Sequence, residues 1–508
     1  MSAQRVVVVT GGGGGIGAAI AAELGRVGAF VVTLDPLVSL DGSEKLKEPQ
    51  ETTADRIVAA GGSARASSAS VTDAEAVRAL FADLLAEFGR LDAVVNVAGI
   101  SRPTGFAKGT EDDWRAVLAV HFDGYCNVLA AALPLMAEAG SGRILGVTSG
   151  SGWRAADTGA YGCAKRAVAS LTWQLGKHAP AGVVVNALSP IAVTRMVTAA
   201  LGKAPSGTSA ATGGLNLGSM PEPADIGPLG AHLVGEGFGW CSGEVIFAGG
   251  SEAAVVDPPR LLEVVRADML AVAGAALVAA EASQLSGGGS NPRFTADGAD
   301  GADESASPVR TCALVSDRPE LSEGIAAALK VRGVACEPIA SSDQIGDAEA
   351  LVVALAGRPP APDAADWERV LAEHTGIVED VFADSMWARA VADLRRPIRM
   401  LTVTDARTAG GRSRAQSSAQ LARSARTATR ENVSAFAVSD EAGDTATLAE
   451  LSAYLLGHAE GAALSGAELA AGAGWVGVRS HPRPGASFVL GDSAVPGWFD
   501  DTLRSVLR

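Results

Sequence analysis

The sequence has few cysteines and histidines, and their spacing excludes several kinds of site. Its five Cys include no CxxC pair, so we expect neither a disulfide scaffold nor a zinc ribbon. The six His show no HxxH-type spacing, and we expect no bound metal. The longest apolar run, Met269–Ala280, is too short to span a bilayer.

Basic residues are scarce relative to acidic ones. The chain carries 41 Lys and Arg against 57 Asp and Glu, a formal net charge of −16. This balance argues against sequence-independent binding of nucleic acid and against adhesion to an anionic membrane. Residues Met1–Thr10 lack the long apolar segment of a signal peptide, so we expect a cytoplasmic protein.

The chain does have enough apolar residues for large cores, at 48% of 508 residues. Strand-like apolar runs alternate with amphipathic helical stretches through the first half. This alternation predicts an α/β fold in which helices cover both faces of a parallel sheet. The predicted strands are Arg5–Val9, Ala29–Leu34, Leu91–Val97, Arg143–Val147, Val183–Leu188 and Glu244–Phe247, and the clearest helices are Ala74–Phe88 and Glu111–Ala139.

The chain is predicted to divide into two domains. Residues 1–282 form the first, which ends in a helical extension over Pro258–Ala282. Residues 283–308 are poor in apolar side chains and are expected to form a flexible linker. The strand and helix alternation then resumes, so residues 309–508 form the second domain.

The second domain is predicted to be a degenerate copy of the first. DWRAVLAVH at Asp113–His121 has a counterpart, DWERVLAEH, at Asp366–His374, with six of nine positions identical. LDAVVNVAG at Leu91–Gly99 similarly matches EALVVALAG at Glu349–Gly357. Two matches in the same order, with the same flanking elements, indicate duplication.

A glycine-rich turn, TGGGGGIG at Thr10–Gly17, follows the first strand and precedes a helix. Glycine lets the backbone turn tightly and approach a pyrophosphate at the helix N-terminus. The turn therefore predicts a dinucleotide site rather than a flexible loop. Two registers fit the run: GxGxxG on Gly12, Gly14 and Gly17, and GxxxGxG on Gly11, Gly15 and Gly17.

Asp35 stands at the end of the second strand. A carboxylate there binds the adenosine ribose hydroxyls and repels a 2′-phosphate, and the next basic residue is Lys45. The sequence therefore favours NAD over NADP. The alternative is that Asp35 only caps the following segment.

Tyr161 and Lys165 stand four residues apart in YGCAK on a predicted helix, so both face one side of it. A nearby ammonium stabilises a phenolate and is expected to lower the pKa of Tyr161, which suits a general base. Thr148 and Ser149 end the preceding strand, where open parallel sheets bind ligands, so a hydroxyl there can hold a substrate oxygen. The alternative is an ordinary solvated helix pair.

Together these motifs resemble the short-chain dehydrogenase/reductase family. The glycine turn, Asp35, Asn96–Gly99 in place of NNAG, then Ser149, Tyr161 and Lys165 occur in that family's order. The resemblance covers about half the chain and implies a Rossmann-like fold. It also implies hydride transfer between nicotinamide C4 and a carbinol carbon. In that scheme Tyr161 moves the hydroxyl proton, Ser149 binds the oxygen, and Lys165 binds ribose and tunes Tyr161.

The resemblance also implies a set of cofactor-binding residues. Pro190, Ile191 and Thr194 take the place of the family's PG loop beside the nicotinamide, although its glycine is missing. The full predicted set is Gly11, Gly14, Gly15, Ile16, Gly17, Asp35, Val71, Asn96, Ala98, Gly99, Tyr161, Lys165, Pro190, Ile191, Val193 and Thr194.

One departure from the family narrows the resemblance. VHFDG places His121 where the family usually has an Asn whose backbone carbonyl anchors a proton-relay water. This segment, the insertion Pro36–Ala54 and the stretch Asn186–Met196 resemble the hydroxyacyl-CoA dehydrogenase domain of multifunctional β-oxidation enzymes. That likeness implies a 3-hydroxyacyl-CoA, or a related alcohol such as a hydroxysteroid, as substrate, with His121 among the catalytic residues. The alternative for His121 is a packed helix residue that never touches substrate.

The sequence leaves two other functions open, and specific residues disfavour each of them. A 3-oxoacyl thioester reductase has the same fold, but biosynthetic reduction usually draws on NADPH, which Asp35 disfavours. A non-catalytic binding or scaffold protein is disfavoured by the intact Ser149, Tyr161 and Lys165.

The second half has lost the residues that this chemistry needs. No Lys follows Lys330, so no YxxxK pair exists there. Asp317, Glu320 and Glu323 replace the glycine turn and would repel a pyrophosphate. We therefore expect this half to bind no nucleotide.

The second half keeps the helices through which family members commonly pair. These match Asp366–Ala390 and Ser413–Thr429 here. We therefore expect each chain to be a pseudo-dimer, and two chains to form a homodimer.

Overall fold

The structure, a computed structural model, describes residues 4–47, 49, 51–201, 220–285, 309–362, 364–491 and 494–507. Its strands are β1 (Val6–Thr10), β2 (Phe30–Leu34), β3 (Ser63–Ser67), β4 (Ala93–Asn96), β5 (Gly142–Val147), β6 (Val183–Pro190), β7 (Val245–Gly249), β8 (Glu252–Asp257), β9 (Leu261–Arg266), β10 (Thr311–Ser316), β11 (Ala335–Pro338), β12 (Ala350–Ala354), β13 (Ile398–Asp405), β14 (Val433–Asp440), β15 (Glu468–Gly472), β16 (Trp475–Arg479) and β17 (Arg483–Val489).

Its α-helices are α1 (Gly15–Arg26), α2 (Thr53–Ala59), α3 (Ala74–Phe88), α4 (Glu111–Leu118), α5 (Gly124–Ala139), α6 (Gly159–His178), α7 (Arg195–Leu201), α8 (Pro223–Leu233), α9 (Leu270–Leu285), α10 (Pro319–Val331), α11 (Asp366–His374), α12 (Ile377–Asp393), α13 (Ala409–Thr429), α14 (Thr445–Gly457) and α15 (Phe499–Val506).

The first sheet has the strand order β17-β8-β7-β6-β5-β4-β1-β2-β3. Strands β1 to β7 are parallel, and the order reverses between β1 and β4. This is a doubly wound, Rossmann-like sheet, as predicted. Its crevice for ligands lies outside the carboxyl ends of the strands at the reversal point, where the glycine turn also begins.

Strand β1 shows why the sheet is buried on both faces. Val6 and Val8 point into one apolar cluster, and Val7 and Val9 point into another. Because side chains alternate along a strand, a four-valine run fills both layers at once. The run therefore fixes β1 at the centre of the sheet, with helices on either side.

Helices α4 and α5 form one continuous helix over Glu111–Ala139, joined by a π-helical turn at Ala119–Asp123. By length and composition alone this helix could cross a membrane. It is mostly enclosed by the protein itself, with 61% of its most apolar window buried, which is the pattern of a core helix. The π turn carries His121.

The second half repeats the first half's architecture. Its sheet has the order β11-β10-β12-β13-β14-β15-β16-β9, and strands β10 to β15 are parallel. The order again reverses between the first strand of the half, β10, and β12. The duplicated Rossmann-like fold is thus confirmed.

The two halves exchange strands, which the sequence did not indicate. Strand β9 leaves the first half and pairs antiparallel with β16, and β17 leaves the second half and pairs antiparallel with β8. The helical extension expected over Pro258–Ala282 is wrong in its first part, where Leu261–Arg266 is strand β9, whereas a 3-10 turn at Ala267–Met269 and then α9 follow it. The predicted domain limits 1–282 and 309–508 do not coincide with the sheets, since each half contributes a strand to the other.

The expected linker, residues 283–308, overlaps the end of α9, which extends to Leu285. Residues 286–308 lie outside the described residues.

The halves also pack through the helices that the duplication predicts. Helix α6 lies against α13, and α11 and α12 contact α4, α5 and α6. Arg389 on α12 donates to the carbonyl oxygen of Gly109, and Arg115 on α4 pairs with Glu379. One chain thus contains an intramolecular pseudo-dimer.

Helix α15, at the C-terminal end, covers the first sheet rather than the second. Phe499 and Leu503 are fully buried in the apolar cluster of β1, α1 and α8. The ring of Phe499 meets those of His232 and Phe488 at centroid distances of 5.8 and 5.7 Å. The core of the first half is therefore incomplete without the chain's last residues.

Replacing Phe499 by Ala should destabilise the first half although the residue belongs to the second half of the sequence. Phe→Ala in a packed core typically costs about 3–5 kcal/mol of unfolding free energy. Urea unfolding, followed together with dinucleotide binding, measures the loss. Val506→Ala on the same helix, where Val506 is 44% exposed, is the matched control and should change stability by less than about 0.5 kcal/mol. Equal, small effects of both variants would contradict the packing described.

Candidate active site

The glycine turn has the geometry of one of the two predicted registers. Gly11 has φ +64° and Gly15 has φ +53°, both in the left-handed region. A side chain on Gly11 would lie 2.9 Å from the Ala98 nitrogen, and one on Gly17 would clash with the Gly11 carbonyl. By contrast, Gly14 precedes α1, and a side chain on it would meet only the Arg195 guanidinium among the described residues, at 3.9 Å. The structure therefore selects GxxxGxG on Gly11, Gly15 and Gly17.

Thr10 is a positioning residue that the sequence analysis missed. Its hydroxyl donates to Asn96 Oδ1 at 2.9 Å and accepts from the Val97 and Ala98 nitrogens at 3.1 Å each. These bonds tie the end of β1 to the end of β4, across the reversal point of the sheet. The sequence feature that could have indicated this role is the position of Thr10 directly before Gly11, the first glycine of the turn.

Asp35 lies beside the glycine turn, as predicted. Its Oδ2 accepts from the Gly13 nitrogen at 3.0 Å, and its Oδ1 accepts from the Leu37 nitrogen at 2.9 Å. The carboxylate is thus fixed next to the N-terminus of α1, whose first N–H groups favour an anion. A ribose held by Asp35 would place the attached phosphates at that helix end.

The segment that follows β6 lies over the glycine turn. A side chain on Gly15 would lie 3.7 Å from the Thr194 methyl, and the Val193 nitrogen donates to the Pro221 carbonyl at 2.8 Å. The described part of the predicted loop therefore faces the crevice. Residues 202–219 lie outside the described residues.

Val71 lies farther from the turn, against α5. Its carbonyl accepts from Asn127 Nδ2 at 3.0 Å, and its side chain fills the space that a side chain on Gly124 would need. Val71 is 3% exposed.

Ser149, Tyr161 and Lys165 come together at the carboxyl end of β5. Lys165 Nζ lies 5.7 Å from the Tyr161 ring centroid and donates to the Val147 carbonyl at 2.6 Å. The Ser149 side chain lies on the Tyr161 side of the strand end and acts to lower the pKa of that phenol. Thr148 points elsewhere, because its hydroxyl donates to the Lys165 carbonyl at 2.5 Å. Of the two hydroxyls at this strand end, Ser149 is the one beside the tyrosine.

The direction in which the pKa of Tyr161 is shifted differs from the one expected from the sequence. Burial raises the pKa of Tyr161, and Ser149 opposes the rise without cancelling it. Burial also lowers the pKa of Lys165 to about 7. Burial and Ser149 are the influences that shift the pKa of Tyr161, and the Lys165 ammonium is not among them. Ser149 is the group that stabilises the phenolate here.

His121 is packed between the loop after β4 and the tyrosine. Its Nε2 lies 2.8 Å from the Ile100 carbonyl oxygen, and its ring centroid lies 5.0 Å from that of Tyr161. Nδ1 is buried and has no hydrogen-bond partner among the described residues. Burial and the nearby Lys165 charge lower the pKa of His121 to about 3, so the imidazole is neutral at physiological pH.

The equivalent crevice of the second half is filled by protein. Arg318, in the turn after β10, reaches across to Asp440 at the end of β14 and forms an ion pair at 2.6 Å. Asp405, at the end of β13, binds Arg407 through both carboxylate oxygens at 2.9 and 2.6 Å. These side chains lie where the first half has its glycine turn, Pro190 and Ser149.

The sheet reversal, glycine turn and Ser–Tyr–Lys cluster define a dinucleotide-dependent oxidoreductase that acts on CH–OH groups. Within this class, the chain belongs to the short-chain dehydrogenase family. A model of that family, described as short chain dehydrogenase, matches residues 5–205. Nodulation protein G of Azospirillum brasilense is 31% identical over 246 residues, which is 48% of this chain and 96% of that protein.

Two other relatives indicate the range of the family. The 3-oxoacyl-[acyl-carrier-protein] reductase of a Synechocystis species is 35% identical over 37% of this chain and 73% of that protein. The peroxisomal hydratase-dehydrogenase-epimerase of Saccharomyces cerevisiae is 36% identical over 38% of this chain but only 21% of that larger protein. A crystal structure of a short chain dehydrogenase from Mycobacterium avium is 30% identical, covering 51% of this chain and 89% of that one, with a TM-score of 0.42.

The neutral, buried His121 should make stability depend on pH. Its pKa is about 3 in the folded protein and about 6.5 when unfolded, so the unfolded state binds the proton first. Stability is therefore full above pH 6.5 and is lost as pH falls towards 3. Between pH 7 and pH 5 this one group should remove about 2 kcal/mol.

Comparing urea unfolding of the wild type and His121→Asn at both pH values isolates this contribution from other titrating groups. The variant should lose about 2 kcal/mol less than the wild type. An equal loss in both proteins would mean that the folded protein binds a proton at His121 as readily as the unfolded chain does.

Proposed function

We propose that the first half is an NAD-dependent dehydrogenase that interconverts a secondary alcohol and a ketone, with a 3-hydroxyacyl-CoA as substrate. The observation that carries the proposal is the Ser149–Tyr161–Lys165 cluster at the carboxyl end of β5, in the same crevice as the glycine turn and Asp35. The peroxisomal hydratase-dehydrogenase-epimerase among the relatives, together with the VHFDG segment, supports the substrate class.

The residues present fit a nicotinamide dinucleotide. The left-handed Gly11 and Gly15 and the close approach of Gly17 to Gly11 make a tight turn. Among the described residues, only Arg195 and Thr194 lie within 4 Å of a side chain placed on Gly14 or Gly15, so the backbone is open to a ligand there. The free N–H groups of α1 suit the pyrophosphate, and Asp35 suits a ribose diol. When bound, the cofactor supplies or accepts the hydride at nicotinamide C4.

In the proposed mechanism the chain's own residues handle the proton. The Ser149 hydroxyl holds the substrate oxygen, and the Tyr161 oxygen takes the hydroxyl proton in oxidation and returns it in reduction. The raised pKa of Tyr161 favours the protonated phenol, so oxidation should speed up towards alkaline pH. Lys165, fixed by the Val147 carbonyl, binds ribose.

A second candidate is a 3-oxoacyl thioester reductase, favoured by the Synechocystis relative of that name. Both candidates use the same Ser149–Tyr161–Lys165 cluster, so the preference for NAD or NADP distinguishes them. Reduction in biosynthesis would draw on NADPH, whereas Asp35 disfavours its 2′-phosphate.

NAD should bind at least about 10²-fold more tightly than NADP, because a 2′-phosphate beside Asp35 meets a fixed carboxylate at a cost of about 3 kcal/mol. Isothermal titration with both cofactors measures the ratio, and Asp35→Ala should narrow it. Asp83→Ala, an equal change of charge at an exposed position of α3, should leave the ratio unchanged. Equal affinities of the wild type for NAD and NADP would refute the cofactor assignment.

Tyr161→Phe should lower turnover of a 3-hydroxyacyl-CoA by about 10²- to 10⁴-fold, because it removes only the oxygen that moves the proton. NAD affinity should survive, as titration can check. The matched control is Tyr125→Phe, since Tyr125 is a fully buried tyrosine of α5 outside the cluster and should keep normal turnover. Near-normal turnover in Tyr161→Phe would show that the catalytic cluster is misassigned.

A further inference from the structure

A side chain of the second half reaches into the catalytic segment of the first. Gln420, on α13, is 2% exposed. Its Nε2 donates to the Ser151 carbonyl at 3.1 Å and to the Arg154 carbonyl at 2.9 Å. Both acceptors lie in the short segment that connects Ser149 to Tyr161.

The orientation of the Gln420 amide follows from its partners. On its other side, the Gln420 Oε1 accepts from the Arg166 guanidinium at 3.5 Å. A guanidinium can only donate and a backbone carbonyl can only accept, so the amide nitrogen must face the segment. Gln420 therefore contacts the first half in a single orientation, with its amide nitrogen towards the segment and its amide oxygen towards Arg166.

Arg166 is itself held by the second half. Its side chain is fully buried, forms an ion pair with the buried Glu468 of β15, and donates from Nε to Gln416 Oε1 at 2.9 Å. Gln416 also donates to Glu468. This buried network holds the Arg166 guanidinium in place, and the guanidinium contacts the amide oxygen of Gln420. Arg166 directly follows Lys165 on α6.

The segment held by Gln420 also positions Ser149. The Ser151 nitrogen donates to Ser149 Oγ at 3.2 Å, and the Gly152 nitrogen donates to the Ser149 carbonyl at 2.9 Å. At its other end, Thr158 donates from its hydroxyl to the Ser151 carbonyl at 3.2 Å and precedes the first turn of α6. A shift of this segment would therefore move the serine relative to the tyrosine.

We propose that Gln420 is a positioning residue, through which the degenerate half holds the Ser149–Arg154 segment in its reactive geometry. The inference rests on the proposed function of Ser149 and Tyr161. In this view the second half serves the reaction without touching substrate or cofactor.

The test compares Gln420→Met with Gln174→Met in the full chain. Methionine keeps the length of glutamine and removes its donors. Gln174 crosses the same interface, where it donates to the Ala409 carbonyl and Ser413 Oγ at 3.2 Å, but it lies thirteen residues beyond Tyr161 on α6. It is therefore a control for the loss of an interface amide.

Gln420→Met should lower kcat by about 10- to 100-fold, the scale of a small misplacement of reacting groups, while KM for NAD stays unchanged. In oxidation, the rise of kcat with pH should move to higher pH, because a displaced Ser149 no longer stabilises the Tyr161 phenolate. Gln174→Met should keep the wild-type kcat and pH profile. A kcat and pH profile equal to wild type in Gln420→Met would overturn the proposal, as would equal losses in both variants.

Amide hydrogen exchange tests the same contact independently of turnover. Exchange at Gly152, Trp153 and Arg154 should be at least about tenfold faster in Gln420→Met and unchanged in Gln174→Met. Unchanged exchange in Gln420→Met overturns the positioning role. A wild type that turns over no alcohol or ketone would refute the proposed function, and exchange would still decide whether Gln420 holds the segment.

Discussion

The rest of the structure depends on the packing of α6 against α13. Most residues of α6 are buried, yet the helix is not apolar all round, since it carries Lys165, Arg166 and Ser170. Buried polar groups are tolerated only with partners. Lys165 finds its partner in β5, whereas Arg166 and Ser170 find theirs in the second half. Helix α6, which carries the proposed catalytic residues Tyr161 and Lys165, therefore has a complete environment only when both halves are present.

Much of the fold and of the candidate site could be predicted because the signals are local. A valine run followed by glycines specifies a central strand and a tight turn, and YGCAK places its two side chains on one helix face. The exchange of β9 and β17 could not be predicted, because both are edge strands with alternating exposure. Nothing in such a strand indicates which of two similar sheets it joins. Strand β3, SARAS, was missed for the same reason, since it is an edge strand with little burial.

The contacts that support the candidate site could not be predicted from the sequence either. Gln420 and Ser149 are separated by 271 positions, and no motif connects them. The tyrosine pKa was misjudged for a related reason, because motif spacing carries no information about burial. The burial that brings Lys165 to the tyrosine also lowers the pKa of the lysine.

The duplication explains how such an unsymmetrical interface can exist. Helices α6 and α13 begin at residues 159 and 409, and β6 and β14 begin at 183 and 433, so equivalent positions in this part of the two halves are 250 residues apart. The equivalent of Arg166 is then Gln416, and the two are in direct contact. In a homodimer of identical chains, a residue at such a self-facing position meets its own copy.

Two arginines buried face to face would repel strongly in an environment of low dielectric constant. Fusion of the two copies removes that constraint, because each side can then change alone. The fused chain can place Arg166 in the first half and its neutral and acidic partners, Gln416 and Glu468, in the second half. The same freedom explains the difference between position 420 and its equivalent, Ser170. The Gln420 side chain reaches the Ser149–Arg154 segment of the other half, whereas the shorter Ser170 side chain reaches only Ser413. The half whose crevice is filled by Arg318 and Asp440 has no reacting groups to hold in place, so only one of the two halves needs the longer side chain.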